Sequence, residues 1–221
     1  MVAAHEAGHV LALAASGLAG EFQKSTIVPQ GGVQGVTTRS GESLVRMSMK
    51  LAEHAQRLAD PARLGETKKA FREFLEKELP KTCLRHLCYF FGGGSIDRFL
   101  GRDCPERNAV DMEAIRKMVL PAMAIQVSDK DLVEIQQKVD AFLWKALEAN
   151  EGLFKKTYDT LVEKHTITNQ DEALVREMCA RARLLFPARI RNCSTGSRPG
   201  MSRRSNRRHG HDTVRNYAES Y

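Results

Sequence analysis

Apolar side chains recur every three or four residues through most of the chain. The stretch that contains Leu132, Val139 and Leu147 shows this pattern, because its large apolar residues fall on one face of a helix. A helix of this kind buries that face and leaves the other in solvent. The spacing predicts a mainly helical protein, with helices over residues 43–58, 66–79, 83–100, 111–126, 129–150, 152–164 and 168–185.

Two β-branched runs interrupt the helical pattern. Residues 25–28 form the first run and residues 33–38 form the second. Pro29 and two glycines separate them, which is typical of a turn between paired strands. We therefore predict a mainly α (α+β) fold that contains one short β-hairpin.

The basic residues are concentrated at the end of the chain. The protein has 221 residues and a formal net charge of +7, from 34 Lys and Arg against 27 Asp and Glu. Residues 188–221 hold eight Arg, no Lys and two acidic residues, so +6 of this charge belongs to that segment. The segment has few large apolar side chains to offset the entropy lost on ordering. We predict a folded domain over residues 1–187 and a disordered, Arg-rich tail over residues 188–221.

The composition also limits the partners and the compartment. No aromatic platform accompanies the arginines of the tail, so nucleic acid is not an expected partner. The longest apolar run, residues 2–19, contains His5, Glu6 and His9, which argues against a transmembrane span or a signal peptide. Five cysteines without a CxxC pair predict a reducing compartment, either the cytoplasm or an organelle. Association with a membrane would then require a partner.

Residues 5–9 read HEAGH and match the HExxH metal-binding pattern. Two histidines four residues apart lie on one face of a helix and reach the same ion, and the Glu beside the first His lies close to a metal-bound water. The small residues around the motif predict a buried helix, where these polar groups would be costly without a metal. The alternative is an ordinary helix that happens to carry two histidines. We favour a Zn²⁺ site with His5 and His9 as ligands.

A catalytic zinc needs a third protein ligand and an open position. Ala15 occupies the place where a metzincin would carry its third histidine, so that class is excluded. Spacing alone does not choose among the remaining candidates, which are Glu21, Glu42, Glu53, His54, Asp97, Asp111 and Glu113.

Several segments resemble the peptidase domain of the FtsH family of ATP-dependent zinc metalloproteases. The HEAGH motif is followed by KSTIVPQG at residues 24–31 and by GVT at residues 35–37, where the family has a strand like KVTIIPRG and then GVT. Further similar segments follow in the family's order at residues 90–97 (FFGGGSID), 108–113 (NAVDME) and 161–167 (LVEKHTI). The resemblance extends over residues 2–175.

The resemblance implies a function and a set of site residues. It makes Asp111 the third zinc ligand beside His5 and His9, and it makes Glu6 the general base that activates zinc-bound water to hydrolyse peptide bonds. The substrates would be unfolded or membrane-derived polypeptides. The strand at Thr26, Ile27 and Val28 is then an expected edge to which an extended substrate adds, or alternatively part of a plain core hairpin.

The family also implies partners. Its peptidase domain works behind a membrane-anchored AAA ATPase in a hexameric ring, so such an ATPase or homologous subunits are expected partners. This chain contains no GxxxxGK[ST] phosphate loop, so the expectation is the peptidase domain alone.

Some positions depart from the family's pattern. Gly94 replaces an Arg, Asp97 replaces a Glu, and residues 104–107 (CPER) replace TTGA before the ligand Asp. These changes favour an alternative function, in which the chain is a catalytically weakened structural or scaffold subunit of an FtsH-type protease complex.

Overall fold

The computed structural model describes residues 2–59, 64–102 and 104–185 of the chain. This part is mostly helical and contains one small antiparallel sheet, which confirms the mainly α (α+β) prediction. The boundary at residue 187 and the tail at 188–221 lie outside the described residues. The helices are α1 (Val2–Ala15), α2 (Glu42–Leu58), α3 (Leu64–Glu73), α4 (Leu79–Phe99), α5 (Pro105–Ala114), α6 (Leu120–Ala122), α7 (Asp129–Ala149), α8 (Glu151–Lys164) and α9 (Glu172–Leu185).

Helix α1 lies at the centre of the fold and is buried on all sides. Every residue from Ala3 to Ala15 is buried, because α1 packs chiefly against α4 and also against α8 and α9. Val10 and Leu11 belong to an apolar cluster shared with α8 and α9, whereas Ala12 and Ala15 belong to a second cluster shared with α4 and α7. The HEAGH motif therefore lies inside the protein, as its small neighbours predict.

Helices α1 and α4 approach each other at glycines. A Cβ atom at Gly8 would lie 2.7 Å from the carbonyl oxygen of Gly92, and a Cβ at Gly92 would lie 2.7 Å from the Cβ of Ala12. Contacts this short are sterically forbidden, so both positions require glycine. This close packing is the reason for the glycine-rich stretch at residues 92–94 in α4.

Two helices contain a π-helical segment, and one of them continues where the sequence predicts a break. Residues 64–99 form one continuous helix in which a π-helical segment, Phe74–Glu78, joins α3 to α4, so the predicted break between residues 79 and 83 is wrong. A second π segment, Ile115–Val119, joins α5 to α6. Each π segment ends two residues before a proline (Pro80 or Pro121), whose ring would otherwise clash with a carbonyl of the preceding turn. The wider turn lets the helix continue past the proline.

The limits of the helix that carries Asp111 also differ from the prediction. It begins at Pro105 instead of residue 111 and ends at Ala122 instead of residue 126. Proline is favoured in the first turn of a helix, because its fixed φ suits the helix and its missing N–H has no partner there anyway. Ala124, with φ 52°, lies just beyond the end.

The sheet has three antiparallel strands, β1 (Phe22–Thr26), β2 (Val36–Arg39) and β3 (Thr166–Thr168), in the order β2-β1-β3. The predicted hairpin corresponds to β1 and β2, although β1 begins and ends earlier than expected. The third strand was not predicted, since three residues after a helix carry little pattern of their own.

The expectation that the strand at Thr26, Ile27 and Val28 is a sheet edge is wrong. Thr26 is fully buried between Val36 and Thr166, the N–H of Ile27 donates to the carbonyl of His165, and the N–H of Val28 donates to Thr26 Oγ1. The backbone donors of this segment are therefore used within the chain.

Within the described residues, no helix combines the length and the apolar character that crossing a membrane requires. Cys83 and Cys88 are buried free thiols, and Cys104 is a partly exposed one.

We predict that the contact between α1 and α4 does not tolerate a methyl group. Gly8→Ala and Gly92→Ala should each lower the free energy of unfolding by about 1–3 kcal/mol, because the added Cβ overpacks the interface. Gly152→Ala in α8 is the matched control, since its Cβ would meet no atom within 4 Å. That substitution should raise stability by about 0.5–1 kcal/mol. Chemical denaturation measures all three, and equal stability of Gly8→Ala and Gly152→Ala would contradict the packing argument.

Candidate metal centre

Helices α1 and α5 bring three potential metal ligands together. His5 and His9 lie one turn apart on α1, with their Nε2 atoms 3.2 Å from each other. Asp111 on α5 places Oδ2 3.5 Å from Nε2 of His5 and 3.4 Å from Nε2 of His9. One ligand atom from each residue lies within 4.8 Å of the other two. These are the three residues that the resemblance to the FtsH peptidase domain implies as ligands.

The opposite nitrogen of each imidazole is held by an acceptor from α4. Nδ1 of His9 donates to the backbone carbonyl of Tyr89 over 2.8 Å, and Nδ1 of His5 lies 2.8 Å from Oδ2 of Asp97. Neither acceptor has a hydrogen to give, so we assign the proton of each ring to Nδ1. The lone pair of each Nε2 then points towards Asp111, which is the arrangement that metal-binding histidines adopt.

The chemistry of this cluster fits a divalent cation. When both rings are neutral, two imidazole lone pairs and a carboxylate oxygen face one another in a buried space. Apart from these two imidazoles, Oδ2 of Asp111 has no polar contact in the part of the chain that the structure describes. Such an arrangement is costly unless a proton on a ring or a metal cation joins the three atoms. Two imidazoles and one carboxylate form a suitable ligand set for catalytic zinc, because they leave a fourth position open.

The electrostatics of the cluster also favour a cation. Burial opposes ionisation of Asp111, but attraction by His9 and His5 outweighs it and lowers the pKa of the carboxyl to about 2. Burial likewise opposes protonation of His9, and attraction by Asp111 and Glu6 outweighs it and raises the pKa of the ring to about 9. Burial lowers the pKa of His5, but hydrogen bonds with Asp111 and Asp97 outweigh this effect and raise the pKa above its ordinary value. A cluster that holds protons this tightly has the negative potential that a metal ion needs.

Strand β2 positions the carboxylate of Glu6. The Thr37 hydroxyl donates to Oε2 of Glu6 over 2.7 Å, and the Ser25 hydroxyl lies 2.8 Å from that of Thr37. A Cβ at Gly35 would lie 2.8 Å from Oε1 of Glu6, so the backbone before β2 can approach the carboxylate only as glycine. The Glu6 carboxylate is therefore fixed beside the two histidines, but it does not belong to the cluster of potential ligands formed by His5, His9 and Asp111.

The cluster opens into a cavity of about 360 Å³. Its walls are the HEAGH face of α1, the segment at residues 32–37 that leads into β2, the aromatic pair Tyr89 and Phe90 of α4, and the first turns of α5. The cavity brings Glu6 and the three predicted ligands to one surface where a substrate could reach them.

Helix α4 leaves space for the His5 ring. A Cβ at Gly93 would lie 2.5 Å from Nε2 of His5. Asp97, one turn further on, then accepts from the other side of the same ring. Gly92 and Gly93 therefore both allow close packing of α4 against α1.

Among the other residues considered as a third ligand, only Asp97 contacts the cluster, as a partner of His5. Glu21 accepts from Arg39 over 2.6 Å and from the N–H of Ser43 over 2.8 Å. The His54 ring packs against Phe71 and Phe74. Glu42, Glu53 and Glu113 are exposed and form ion pairs with residues four positions away. Thr26, Ile27 and Val28 do not line the cavity.

Sequence reasoning missed three contributors to the site: Thr37, the carbonyl of Tyr89, and Arg107. Thr37 lies in the GVT segment that resembles the FtsH family, so that resemblance contained a usable signal. A backbone carbonyl has no signature in sequence, because every residue has one. Arg107 lies in the CPER segment, which the sequence analysis treats only as a departure from the family.

Comparison with models of known protein families, with curated proteins and with solved structures gives no match for this chain. The function must therefore be argued from the residues and their geometry.

We predict that Asp97 supports metal binding through His5. Asp97→Ala should weaken zinc affinity about 10- to 100-fold, because the His5 ring loses the acceptor that fixes its tautomer and orientation. Asp129→Ala, at an exposed aspartate at the start of α7, removes the same charge far from the centre and should leave the affinity unchanged. Titration against a chelating dye measures both variants. Equal affinities for the two would contradict this role of Asp97.

We also predict that zinc affinity falls as the pH is lowered. Because the pKa of His9 is raised to about 9, the ring carries a second proton at neutral pH in addition to the one on Nδ1, and zinc has to displace that second proton. Displacement of one proton weakens the apparent affinity about tenfold for each pH unit below 9. Chelator competition at pH 6, 7 and 8 measures the slope. An affinity that stays constant over this range would show that the histidine is not a ligand.

Proposed function

We propose that the chain is a zinc-dependent metalloendopeptidase. The observation that carries this proposal is the convergence of His5, His9 and Asp111 in a cavity that also contains the carboxylate of Glu6. Three ligands with an open fourth position are typical of a catalytic metal site rather than a structural one. When bound, Zn²⁺ supplies Lewis acidity at that open position.

Glu6 acts as the general base. Its carboxylate accepts a proton from the water that attacks the peptide carbonyl, and the proton then passes to the departing amine. The hydrogen bond from Thr37 to Oε2 holds the carboxylate in one orientation, which reduces the entropy lost when the reacting groups are aligned.

Strand β2, rather than β1, offers an edge for the substrate. β2 pairs with β1 on one side and lies at the end of the sheet order, and residues 35–37 line the cavity. An extended peptide that adds to this edge would run past Glu6 and the ligand cluster. The Tyr89 hydroxyl already donates to the carbonyl of Thr37, so the peptide would bond to the remaining backbone groups of the edge. Addition to a strand requires an extended chain, which supports unfolded polypeptides as the substrates.

The resemblance to the FtsH peptidase domain supports the same ligand set and the same base. It also extends the proposal to partners, namely an AAA ATPase that delivers polypeptides, or homologous subunits in a hexameric ring. In this scheme ATP is hydrolysed by the partner, and the present chain supplies the peptidase centre.

The alternative function is a structural or scaffold subunit with weakened activity. Its motivation is the set of departures at Gly94, Asp97 and residues 104–107. Asp97, although shorter than the family's Glu, still reaches His5 at 2.8 Å, and Asp111 still lies within 3.5 Å of both rings. These contacts favour the enzyme over the scaffold.

The decisive variant is Glu6→Gln, which keeps the size of the side chain and removes the base. Hydrolysis of casein by the zinc-loaded full chain should fall by a factor of about 100 to 10,000, with zinc still bound at one equivalent. Glu113→Gln is the control, because it removes an exposed carboxylate from the helix that carries Asp111 and should leave hydrolysis unchanged. Casein hydrolysis that is unaffected by Glu6→Gln would refute the mechanism. Zinc binding without any hydrolysis by the wild type would favour the scaffold.

A further inference from the structure

Arg107 lines the metal cavity and carries two buried hydrogen-bond donors that have no partner in the part of the chain that the structure describes. It lies on α5, one turn before Asp111, and lines the same cavity. Its Nε and Nη1 atoms are inaccessible to solvent, and neither has a hydrogen-bond partner among the described residues. An arginine on a protein surface would normally satisfy these donors with water or a carboxylate.

This arrangement costs stability, so it calls for an explanation. Buried charged donors without a partner lose their hydration and receive no hydrogen bond in return. The carboxylates of Glu6 and Asp97 attract the Arg107 guanidinium electrostatically, but neither accepts a hydrogen bond from its Nε or Nη1 atom. Unpaired donors of this kind are characteristic of binding sites, where the ligand supplies the missing acceptor.

The direction of the side chain places the donors beside the metal cluster. Helical side chains lean towards the N-terminus of their helix, so the Arg107 side chain extends away from Asp111 and towards Cys104. Contact between the guanidinium and the Cys104 thiol, which lowers the pKa of that thiol, agrees with this direction. A group bound by Arg107 would therefore lie next to the reacting carbonyl group of a peptide and not at the carbonyl itself.

The required ligand is an acceptor that carries negative charge and belongs to a peptide. A carboxylate meets both conditions, and its hydrogen bonds with a guanidinium are among the strongest in proteins. In a peptide this group is either a Glu or Asp side chain or the α-carboxylate at the C-terminus. Arg107 and Asp111 are about one helical turn apart, or about 5.4 Å along α5. Successive residues of an extended chain advance by about 3.3 Å, so a carboxylate one or two residues from the cleaved bond covers a similar distance.

We propose that Arg107 is a specificity-determining residue that binds a carboxylate of the peptide substrate in a subsite beside the metal centre. This inference rests on the proposed peptidase function for the identity of the ligand. The anion site itself rests only on the geometry of Arg107 and the cavity.

Peptide binding tests the proposal without requiring turnover. Fluorescein-labelled octapeptides with amidated C-termini would carry a single Glu at successive positions, and each would be matched with a peptide that carries Gln instead. Fluorescence anisotropy would measure their affinity for the zinc-loaded full chain in the Glu6→Gln background, which prevents cleavage. At one or two adjacent positions, the Glu peptide should bind about tenfold more tightly than its Gln counterpart.

A second set of peptides distinguishes the two sources of the carboxylate. A shorter peptide with Gln throughout and a free α-carboxylate would be compared with its amide. Tighter binding of the free acid alone identifies the C-terminus as the ligand, whereas tighter binding of the Glu peptides alone identifies an acidic side chain. Equal binding of acids and amides in both sets would overturn the proposal.

Variants of Arg107 assign the preference to this residue. Arg107→Gln should abolish the preference for the acid, and Arg107→Lys should retain part of it, because lysine keeps the charge without the planar fork. Arg116→Gln is the matched control, since Arg116 is an exposed arginine downstream of α5 that pairs with Asp129, and its loss should leave the preference intact. An unchanged preference in Arg107→Gln would overturn the proposal.

Stability provides a readout that separates binding from a structural role. Because Nε and Nη1 of Arg107 are buried without a hydrogen-bond partner among the described residues, Arg107→Gln should leave the midpoint of thermal unfolding unchanged or raise it. A marked fall in the midpoint would show that Arg107 stabilises the fold, and it would overturn the assignment.

If the acid preference depends on Arg107 but casein is not hydrolysed, the anion site stands and the peptidase function fails. If casein is hydrolysed but the peptides show no acid preference that depends on Arg107, the peptidase function stands and the anion site fails.

Discussion

The close contact between α1 and α4 is the constraint on which the rest of the structure depends. Gly8 and Gly92 let the two backbones approach each other, and this brings Tyr89 and Asp97 of α4 within hydrogen-bonding distance of the two histidines. A helix buried on all sides has to satisfy its polar side chains within the protein. Helix α4 therefore has two roles at α1. It packs closely against the helix, and it supplies the hydrogen-bond acceptors for the rings of His5 and His9.

A second polar network joins the sheet to this pair of helices. The Ser25 hydroxyl donates to that of Thr37, which donates to Glu6, and the Tyr89 hydroxyl bonds to the backbone of the same strand. The Arg39 guanidinium lies 4.9 Å from the centre of the Tyr89 ring and donates to His86. Burial and the charge of Arg39 lower the pKa of His86 to about 4, so this histidine stays neutral and accepts from the arginine. Glu6 is thereby connected to the core by satisfied hydrogen bonds, whereas Nε and Nη1 of Arg107 have no hydrogen-bond partner among the described residues.

Sequence periodicity predicted the features whose causes are local. The helical pattern identified most of the helices, and the HEAGH spacing placed His5 and His9 on one face of a helix, because a separation of four residues is slightly more than one turn. Pro80 was misleading for a local reason as well. A proline normally ends a helix, yet the widened π turn before Pro80 removes the clash, and nothing in the spacing of apolar residues indicates such a turn.

The sequence by itself determined that the imidazoles of His5 and His9 and the carboxylate of Glu6 lie together on a buried helix. The reason is that residues four apart in a helix lie on the same face. Spacing left the third ligand open, and only the tertiary structure brought Asp97 and Asp111 to the two imidazole rings. His5 and its partner Asp97 are 92 residues apart, and Asp111 lies still further along the chain. The same holds for the sheet edge, since β1 became a central strand only through its pairing with β3 after α8. Groups separated by such distances meet through the packing of whole helices and strands, and a local pattern of residues does not encode that packing.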